Sequence, residues 1–558
     1  MGIGTGPLDL DRYPYMRAVW GALFAVLLVL AFPFRAGDLR FDLGIVAGWL
    51  ALVPLLWMLE GMRPRAAFKW TTLAATLAYA AILFWLFVVV RVHGHAPVWA
   101  GVGAPLLLGL VLGLHAGLAA ALYVALAPWA GRAGVLLLPA AWVVGEHLRG
   151  FDLFGGFPWA YLGYAVHSDG PLVELAALGG VYGLSFLLAC VASLCARNRF
   201  VLALALVAVA HALGFGLRVA HTGASGVEAG TRAALVQASI PQHEKWDAAL
   251  ARQAFERHLA LSRLAAAAGE LDLIVWPESS VPVILETEPE YAEAVRSLAR
   301  DTGATLVVGG IGLERVPLDP GYRLFNSVFV VKPDEGFVDR YDKSHLVPFG
   351  EYVPLRWVLG FLSGIATGLT AGDITRGSGP RVLRNLPEFG TDHALAAFIC
   401  YEVIYPSLVR AAVRDGARIL LNLTNDAWYG RTSAPHQFLA IAAMRSAEHG
   451  LPMLRAANTG VSAVVDEGGR VTSETPIFEQ RALEVRVPPA RPGPTLYTRF
   501  GDWVVWVSWG FLIAIGGVRV ARRHEHTHQR GSTGAQHSER ESRGAAEASL
   551  TSRGSASA

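Results

Sequence analysis

The sequence predicts a multi-pass α-helical membrane bundle joined to an α/β layered domain. Three observations carry that prediction. The 558 residues are 53% hydrophobic and only 16% charged, with a mean hydropathy of +0.40, whereas an ordinary soluble domain is about 25% charged. Apolar runs close to the length of a bilayer-crossing helix recur at 18–34, 44–59, 70–90, 103–128, 133–148, 172–196 and 200–217, and one more stands at 503–518. Between them, residues 220–500 alternate short β-branched runs with helical stretches, the pattern of a layered α/β domain.

Four segments follow from this pattern. Residues 1–219 form a seven-helix membrane region, 220–500 a polar insert, 501–523 a closing transmembrane helix and 524–558 a tail. The first run is read as a span rather than a signal peptide, because no small-residue cleavage site follows and further spans come at once. With the N-terminus inside, the inside loops hold Arg12, Arg17, Arg63, Arg65, Lys69, Arg132, Arg197 and Arg199, against Arg35, Arg40, Arg91 and Arg149 outside. Basic residues concentrate on the cytoplasmic side, and Arg519, Arg522 and Arg523 after the last span agree. An odd number of preceding spans then puts the insert on the outer face of the membrane. The tail, rich in Ser, Gly, Ala, Arg and Glu, reads as disordered and cytoplasmic. Its alternating His524, His526 and His528 read either as metal ligands or, more plainly, as part of a solvated tail with no fold to fix ligand geometry.

The net charge of +2 gives no reason to expect a nucleic-acid partner. Cys190 and Cys195 lie in an apolar run at neither a redox nor a zinc spacing, and read as small core residues. Cys400 is therefore the one thiol in the polar part of the chain.

Within the insert, Ala234–Gln237, Leu273–Trp276, Thr305–Gly309, Ser327–Val331, Leu395–Ile399 and Ile419–Leu423 read as buried strands, with helices over 247–267 and 289–300. Layered α/β domains place their chemistry at the C-terminal ends of strands, and three such ends carry unusual residues. Trp276-Pro277-Glu278 puts a carboxylate just past an apolar strand, where desolvation makes a usable general base; a helix N-terminal acid is the plainer reading. The stretch from Tyr341 to Pro354 is too dense in Pro, Gly and aromatic residues to be regular. In it Lys343 is either a cation that lowers a thiol pKa or steadies an oxyanion, or a surface lysine. His345 is either a base or a hydrogen-bonded structural residue. Phe398-Ile399-Cys400-Tyr401-Glu402 takes a cysteine from core to mouth within one residue, and alone reads as buried and inert. A base, a cation and a thiol together are the parts needed to make and break a thioester.

These stretches resemble the Glu–Lys–Cys arrangement of the nitrilase, or carbon–nitrogen hydrolase, superfamily. The chain up to about residue 520 further resembles the bacterial apolipoprotein N-acyltransferase family. In the membrane part the resemblance rests on Gly156-Phe157-Pro158-Trp159 and Leu162-Gly163-Tyr164. In the insert it rests on Ile240-Pro241-Gln242, Lys245-Trp246, Trp276-Pro277-Glu278, the 341–354 loop, Cys400-Tyr401-Glu402, Asn422–Trp428 and Arg455–Gly460. It implies a four-layer αββα nitrilase-like domain on the periplasmic side of the inner membrane, carried by eight membrane helices. It implies a reaction as well: an acyl chain passes from a phospholipid, typically phosphatidylethanolamine, to the cysteine. From there it goes to the α-amino group of the diacylglyceryl-cysteine that begins an apolipoprotein. By the same resemblance Glu278 is the general base, Lys343 the oxyanion-stabilising cation and Cys400 the nucleophile. Glu351, Glu402, Tyr401 and Trp246 fall on supporting positions. Neither metal nor organic cofactor is expected.

Two rival readings share parts of this pattern. A membrane-anchored amidase would use the same three residues but has no need of seven preceding spans. A transporter would need ionisable groups inside its spans, and Glu146, His147, His115 and His211 are a sparse set. The cluster Trp357, Leu359, Phe361 and Leu362 in 352–372 is either a lipid-dipping loop or a packed one.

Overall fold

The computed structural model describes residues 14–151, 153–222, 230–242, 248–315, 321–354, 357, 374–383 and 394–522. The helical part contains α1 (Pro14–Leu30), α2 (Gly44–Leu50), α3 (Leu52–Leu59), α4 (Pro64–Ile82), α5 (Val98–Ala130), α6 (Leu137–Leu148), α7 (Ala176–Ala196) and α8 (Phe200–Thr222). A short hairpin, β1 (Phe34–Ala36) and β2 (Leu39–Phe41), follows α1. Among the described residues four stretches are long and apolar enough to cross a membrane: Val98–Leu148, Ala176–Ala196, Phe200–Ala220 and Trp503–Arg522. Tyr15–Leu30 and Gly44–Leu59 are shorter apolar helices. The expected run at 133–148 is not separate, because a 3₁₀ turn at Gly131–Leu136 joins it to α5.

Small residues set the spacing in this bundle. Gly109, Gly113 and Gly117 recur every fourth position along α5 and face α4. A Cβ at Gly113 would stand 2.6 Å from Thr76 Oγ1, and one at Gly117 2.1 Å from Thr72 Oγ1. Where lipid removes the hydrophobic drive for helix association, such close backbone approach supplies the attraction.

The insert holds two six-stranded sheets. The first runs in the order β14-β3-β4-β5-β6-β7, with β3 (Arg232–Gln237), β4 (Leu273–Val275), β5 (Thr305–Arg315), β6 (Tyr322–Lys332), β7 (Gly336–Asp342) and β14 (Arg481–Arg486). The second runs β13-β12-β11-β10-β9-β8, with β8 (Val382–Leu383), β9 (Leu395–Ile399), β10 (Ile419–Thr424), β11 (Met453–Ala457), β12 (Ala463–Val465) and β13 (Val471–Glu474). Among these strands, β3-β4-β5 and β9-β10-β11 pair in parallel and the rest antiparallel.

Alternation along each strand builds the layers. Ala233, Leu235, Leu273, Val275 and Val307 face the second sheet and join a core with Phe398, Leu421 and Leu454. Their neighbours Ala234, Val236, Ile274, Leu306 and Val308 face outward onto Phe255, Leu259, Val295 and Leu298, which lie on α9 (Ala248–Ala268) and α10 (Pro289–Thr302). Both faces are apolar, so these strands read as continuous runs in the sequence. The second sheet is covered by α11 (Pro406–Arg414) and α12 (Ala434–His449), which completes an αββα sandwich. The chain ends its described course in α13 (Trp503–Arg522).

Every residue of α12 except His436 is buried, because the helix lies between the second sheet and the membrane helices. Its polar side chains reach across to backbone left open by the bundle. Gln437 accepts from Trp159 Nε1 at 2.9 Å and donates to the carbonyls of Pro33 and Ile82 at 3.1 and 3.2 Å. Near the start of α7, Gly180 has φ +65°, and the amide of Val181 donates to Glu448 Oε1 at 2.9 Å. Arg445 pairs with Glu448 at 3.1 Å and donates to Tyr164 Oη at 3.0 Å. Burial pushes the Glu448 carboxyl up to about 7, against the pull of Arg445 and the Val181 amide.

Removing one partner of a buried pair leaves the other uncompensated. Arg445→Met is expected to destabilise the protein by about 3–5 kcal/mol, read as a lower thermal unfolding midpoint in detergent. Without the cation the Glu448 carboxyl rises further. The deficit should therefore be largest at pH 8, where ionising the carboxyl in the folded protein costs most, and shrink at pH 5, where the folded protein holds it protonated with or without the cation. An equal deficit at both pH values would assign the effect to packing instead.

Candidate active site

Three chain segments converge at one edge of the sandwich. β4 ends at Val275 and delivers Glu278, β7 ends at Asp342 and delivers Lys343, and β9 ends at Ile399 and delivers Cys400. β4 and β9 are buried along their whole length, whereas β7 is mostly half-buried and is held by its antiparallel pairing with β6. All three are buried, Cys400 at 8% exposure, Glu278 at 7% and Lys343 at 1%.

Lys343 sits between two carboxylates. Its Nζ is 2.9 Å from Glu351 Oε1 and 3.3 Å from Glu278 Oε1. Asn326, on β6, donates from Nδ2 to the same two oxygens, at 2.8 Å to Glu278 and 3.0 Å to Glu351. The other oxygens are held as well: Glu278 Oε2 accepts from the Asn425 amide at 2.9 Å and Glu351 Oε2 from the Val347 amide at 2.8 Å. Burial pulls the Lys343 ammonium down, but Glu351, Glu278 and Cys400 outweigh it and hold the pKa above the ordinary lysine range.

Cys400 begins a single helical turn, Cys400–Ile404, in a left-handed conformation with φ +52°. Burial, followed by the nearby Glu278 carboxylate, pushes its thiol up to about 12, while Lys343 pulls in the other direction. A cation that lowers the thiol pKa is one of the readings the sequence leaves open for Lys343, beside an oxyanion-stabilising cation and a surface lysine. Lys343 does act that way, but desolvation wins and the resting group is a thiol rather than a standing thiolate.

Glu402 ties two of these segments together. Its Oε2 accepts from the Ile399 amide at 2.8 Å, and its Oε1 from Tyr341 Oη and the Ser344 amide, both at 2.7 Å, from Ser344 Oγ at 2.9 Å and from the His345 amide at 3.0 Å. One fully buried carboxylate thus fixes the loop bearing Lys343 to the strand bearing Cys400. Tyr401 lies with its ring stacked on Phe157 at 6.3 Å. Trp246 lies outside the described residues, as do Leu359, Phe361 and Leu362; Trp357 is 86% exposed. His345 is half-buried, and desolvation together with the Arg376 and Lys343 charges holds its imidazole down at about 4. It is neutral at neutral pH.

Two residues without a role in the sequence reading complete the support. Asn422, on β10, donates from Nδ2 to the carbonyls of Phe398 at 3.0 Å and Cys400 at 3.2 Å, on either side of the left-handed turn. Its own Oδ1 accepts from Arg455, whose other nitrogen pairs with Asp426 at 2.9 Å. Asn326 is the second. Both were signalled by a polar residue inside an otherwise apolar strand, LLNLT and LFNSVFVV.

The ionisable residues of the helical part take local structural partners. Glu146 accepts from Trp142 Nε1 at 3.0 Å and the Leu162 amide at 2.6 Å, and Arg149 donates to the carbonyls of Trp159 and Ala160, both at 2.8 Å. His211 lies 3.1 Å from Asp169. Among the described residues, no group of three or more His, Cys, Asp or Glu side chains could hold a metal ion.

A family model described as carbon-nitrogen hydrolase matches residues 232–495, and one described as apolipoprotein N-acyltransferase N-terminal domain matches 24–194. An apolipoprotein N-acyltransferase of Geobacter metallireducens is 36% identical, covering 93% of this chain and 98% of that protein. One of Methylococcus capsulatus is 34% identical over 79% of this chain and 84% of its own. An amidase from Nesterenkonia sp. aligns with 51% of this chain and 100% of its own at 20% identity and a TM-score of 0.36. The two full-length relatives span both the helical part and the sandwich: the chain is an acyltransferase and belongs to the apolipoprotein N-acyltransferase family.

Proposed function

We propose that this chain transfers an acyl chain from a phospholipid, through a thioester on Cys400, to the α-amino group of an N-terminal diacylglyceryl-cysteine. The observation that supports this most is the Lys343 ammonium held between Glu278 and Glu351 beside a buried thiol.

In the first half, Sγ of Cys400 attacks the ester carbonyl while Glu278 takes the thiol proton. Because the resting group is a thiol, proton removal and attack are coupled. The oxyanion that develops on the carbonyl oxygen faces the Lys343 ammonium, a fixed charge in a water-poor site. Collapse breaks the ester C–O bond, and the departing lysophospholipid alkoxide takes the proton from Glu278. In the second half a neutral α-amine attacks the thioester, Glu278 takes a proton from the nitrogen, and the thiolate leaves and recovers it. An amide and a free thiol result, with no metal or organic cofactor. Glu351 holds Lys343 in place, Glu402 fixes the Lys343 loop to the Cys400 strand, and Tyr401 and Trp246 support the site. Phosphatidylethanolamine is the donor in this reading and diacylglyceryl apolipoproteins are the acceptors.

The same reading sets the chain in the bacterial inner membrane, with residues 220–500 on the periplasmic side and 524–558 in the cytoplasm. The excess of Lys and Arg in the loops on the N-terminal side supports that orientation. A reporter fused near residue 300 should be active only outside the cytoplasm; activity of a cytoplasmic reporter there would reverse the topology.

Purified protein incubated with labelled phosphatidylethanolamine should carry a hydroxylamine-labile acyl group on Cys400, absent from Cys400→Ala and Cys400→Ser. Turnover of small amides with no trapped lipid acyl group would favour the amidase instead.

The thiol's surroundings set a pH test. Iodoacetamide labelling of Cys400 should be slow at pH 7 and climb steadily towards pH 10. In Glu278→Gln the carboxylate that holds the thiol pKa up is gone, so labelling at a given pH should be faster. Acyl transfer in that variant should nevertheless fall by about 10²–10⁴-fold. In Lys343→Met labelling should slow. Faster labelling in Lys343→Met would contradict the direction assigned to the ammonium.

A further inference from the structure

One wall of the candidate centre comes from the helical part of the chain. After α6, Phe154, Gly155 and Gly156 have consecutive positive φ angles of 55°, 95° and 85°. Phenylalanine rarely occupies that region, and such conformations persist where the surroundings over-determine them. Gly156 admits no side chain, since a Cβ there would lie 2.1 Å from the carbonyl carbon of Gly150.

The turn presents the Gly156 carbonyl oxygen to the sandwich. Tyr405 Oη donates to it at 2.9 Å and Tyr401 Oη at 3.3 Å. Tyr401 directly follows Cys400, and Tyr405 closes the helical turn that begins at Cys400. Neighbouring residues of the turn meet the Lys343 loop. Phe154 lies edge-on to Phe349 at 6.1 Å, and a Cβ on Gly155 would stand 3.0 Å from His345 Cε1. His345 in turn packs on the Tyr405 ring at 3.8 Å. A single turn of the helical part thus touches both the segment with the cation and the segment with the thiol.

We propose that the Phe154–Phe157 turn belongs to the reaction centre, with Tyr405 as a positioning residue that fixes the Cys400 turn to it through the Gly156 carbonyl. The inference rests on the reading that Cys400 carries the acyl group. Its physical content is geometric: the ester of a lipid seated against the membrane helices is presented from that side. The thiol must hold its place relative to those helices, not only relative to its own sheet. Misplacement by about 1 Å is enough to cost up to about 10²-fold in rate.

The test uses the full-length protein in detergent with labelled phosphatidylethanolamine, following acyl-enzyme formation in a single turnover alongside iodoacetamide labelling of Cys400. Tyr405→Phe keeps the ring against His345 and deletes only the hydroxyl. It should slow acyl-enzyme formation by about tenfold, at an unchanged half-saturating donor concentration, while iodoacetamide labelling stays within twofold. Gly155→Ala presses on His345 from the membrane side, leaves the tyrosine hydroxyls in place, and should give the same signature; it decides the matter if Tyr405→Phe does not fold. Acyl-enzyme formation at the wild-type rate in both variants overturns the proposal, as does an equal loss of acylation and labelling. If the wild-type protein forms no acyl-enzyme, the function assigned above fails and this inference falls with it. If the wild type acylates and both variants match it, only the inference fails.

Discussion

The Lys343 ammonium is withdrawn from water where the two sheets meet, 2.9 Å from Glu351 and 3.3 Å from Glu278. A lone buried ammonium costs several kcal/mol in desolvation, and Coulomb attraction offsets that only when geometry is good and the remaining donors and acceptors are satisfied. The surrounding structure follows from that constraint. Two carboxylates are needed to hold the charge, and two carboxylates side by side repel, so Asn326 bridges them from β6. Their outer oxygens then need donors, which the Asn425 and Val347 amides supply from two different segments. The stable arrangement of one cation therefore draws β4, β6, β10 and the 343–351 loop into fixed register. The surplus negative charge left beside Cys400 is part of what keeps the thiol protonated.

A second constraint is the junction with the helical part. A sandwich that acted on a soluble substrate could present its strand ends to water; here α12 is buried between sheet and bundle, with its polar groups spent on foreign backbone. Gln437 and Glu448 each satisfy donors or carbonyls that a broken or ended helix leaves open, which is the usual need at helix termini. Because an unsatisfied buried amide or carbonyl is expensive, these contacts favour one seating of the sandwich on the bundle over sliding alternatives. The Gly156 carbonyl works the same way on the other side of the site, accepting from two buried tyrosine hydroxyls.

Much of this was legible in the sequence where one residue type carries the signal alone. The buried strands around Val275, Val307, Phe398 and Leu421 announce themselves because both faces are apolar, and Glu278, Lys343 and Cys400 stand out at or beyond strand ends. Weaker patterns were not legible. The short strands β8, β12 and β13 are two to four residues long and carry too little periodicity to read. The join of α5 to α6 was missed because a 3₁₀ turn of glycine and apolar residues leaves no polar break. Support from Asn326, Asn422 and Arg455 depends on which strands become neighbours, and pairing order is a property of the whole sheet. The direction of the thiol shift was hidden for a related reason: sequence places a cation near Cys400 but does not weigh it against burial and two carboxylates.

That weighing bears on how a centre of this type can serve lipid transfer. A standing thiolate would be open to oxidation and to stray electrophiles. A buried thiol with its pKa near 12 becomes nucleophilic only when a carbonyl is close enough for attack and proton transfer to proceed together. In the proposed mechanism the same burial limits water, so that a thioester would be kept for an acceptor amine that can reach it. Selectivity for transfer over hydrolysis then does not require a different set of reacting groups from a hydrolase. In the proposed mechanism it requires that the surroundings of Cys400 be apolar, and the rings of Tyr401, Phe157 and Trp159 stack in succession from the residue after the cysteine into the helical part.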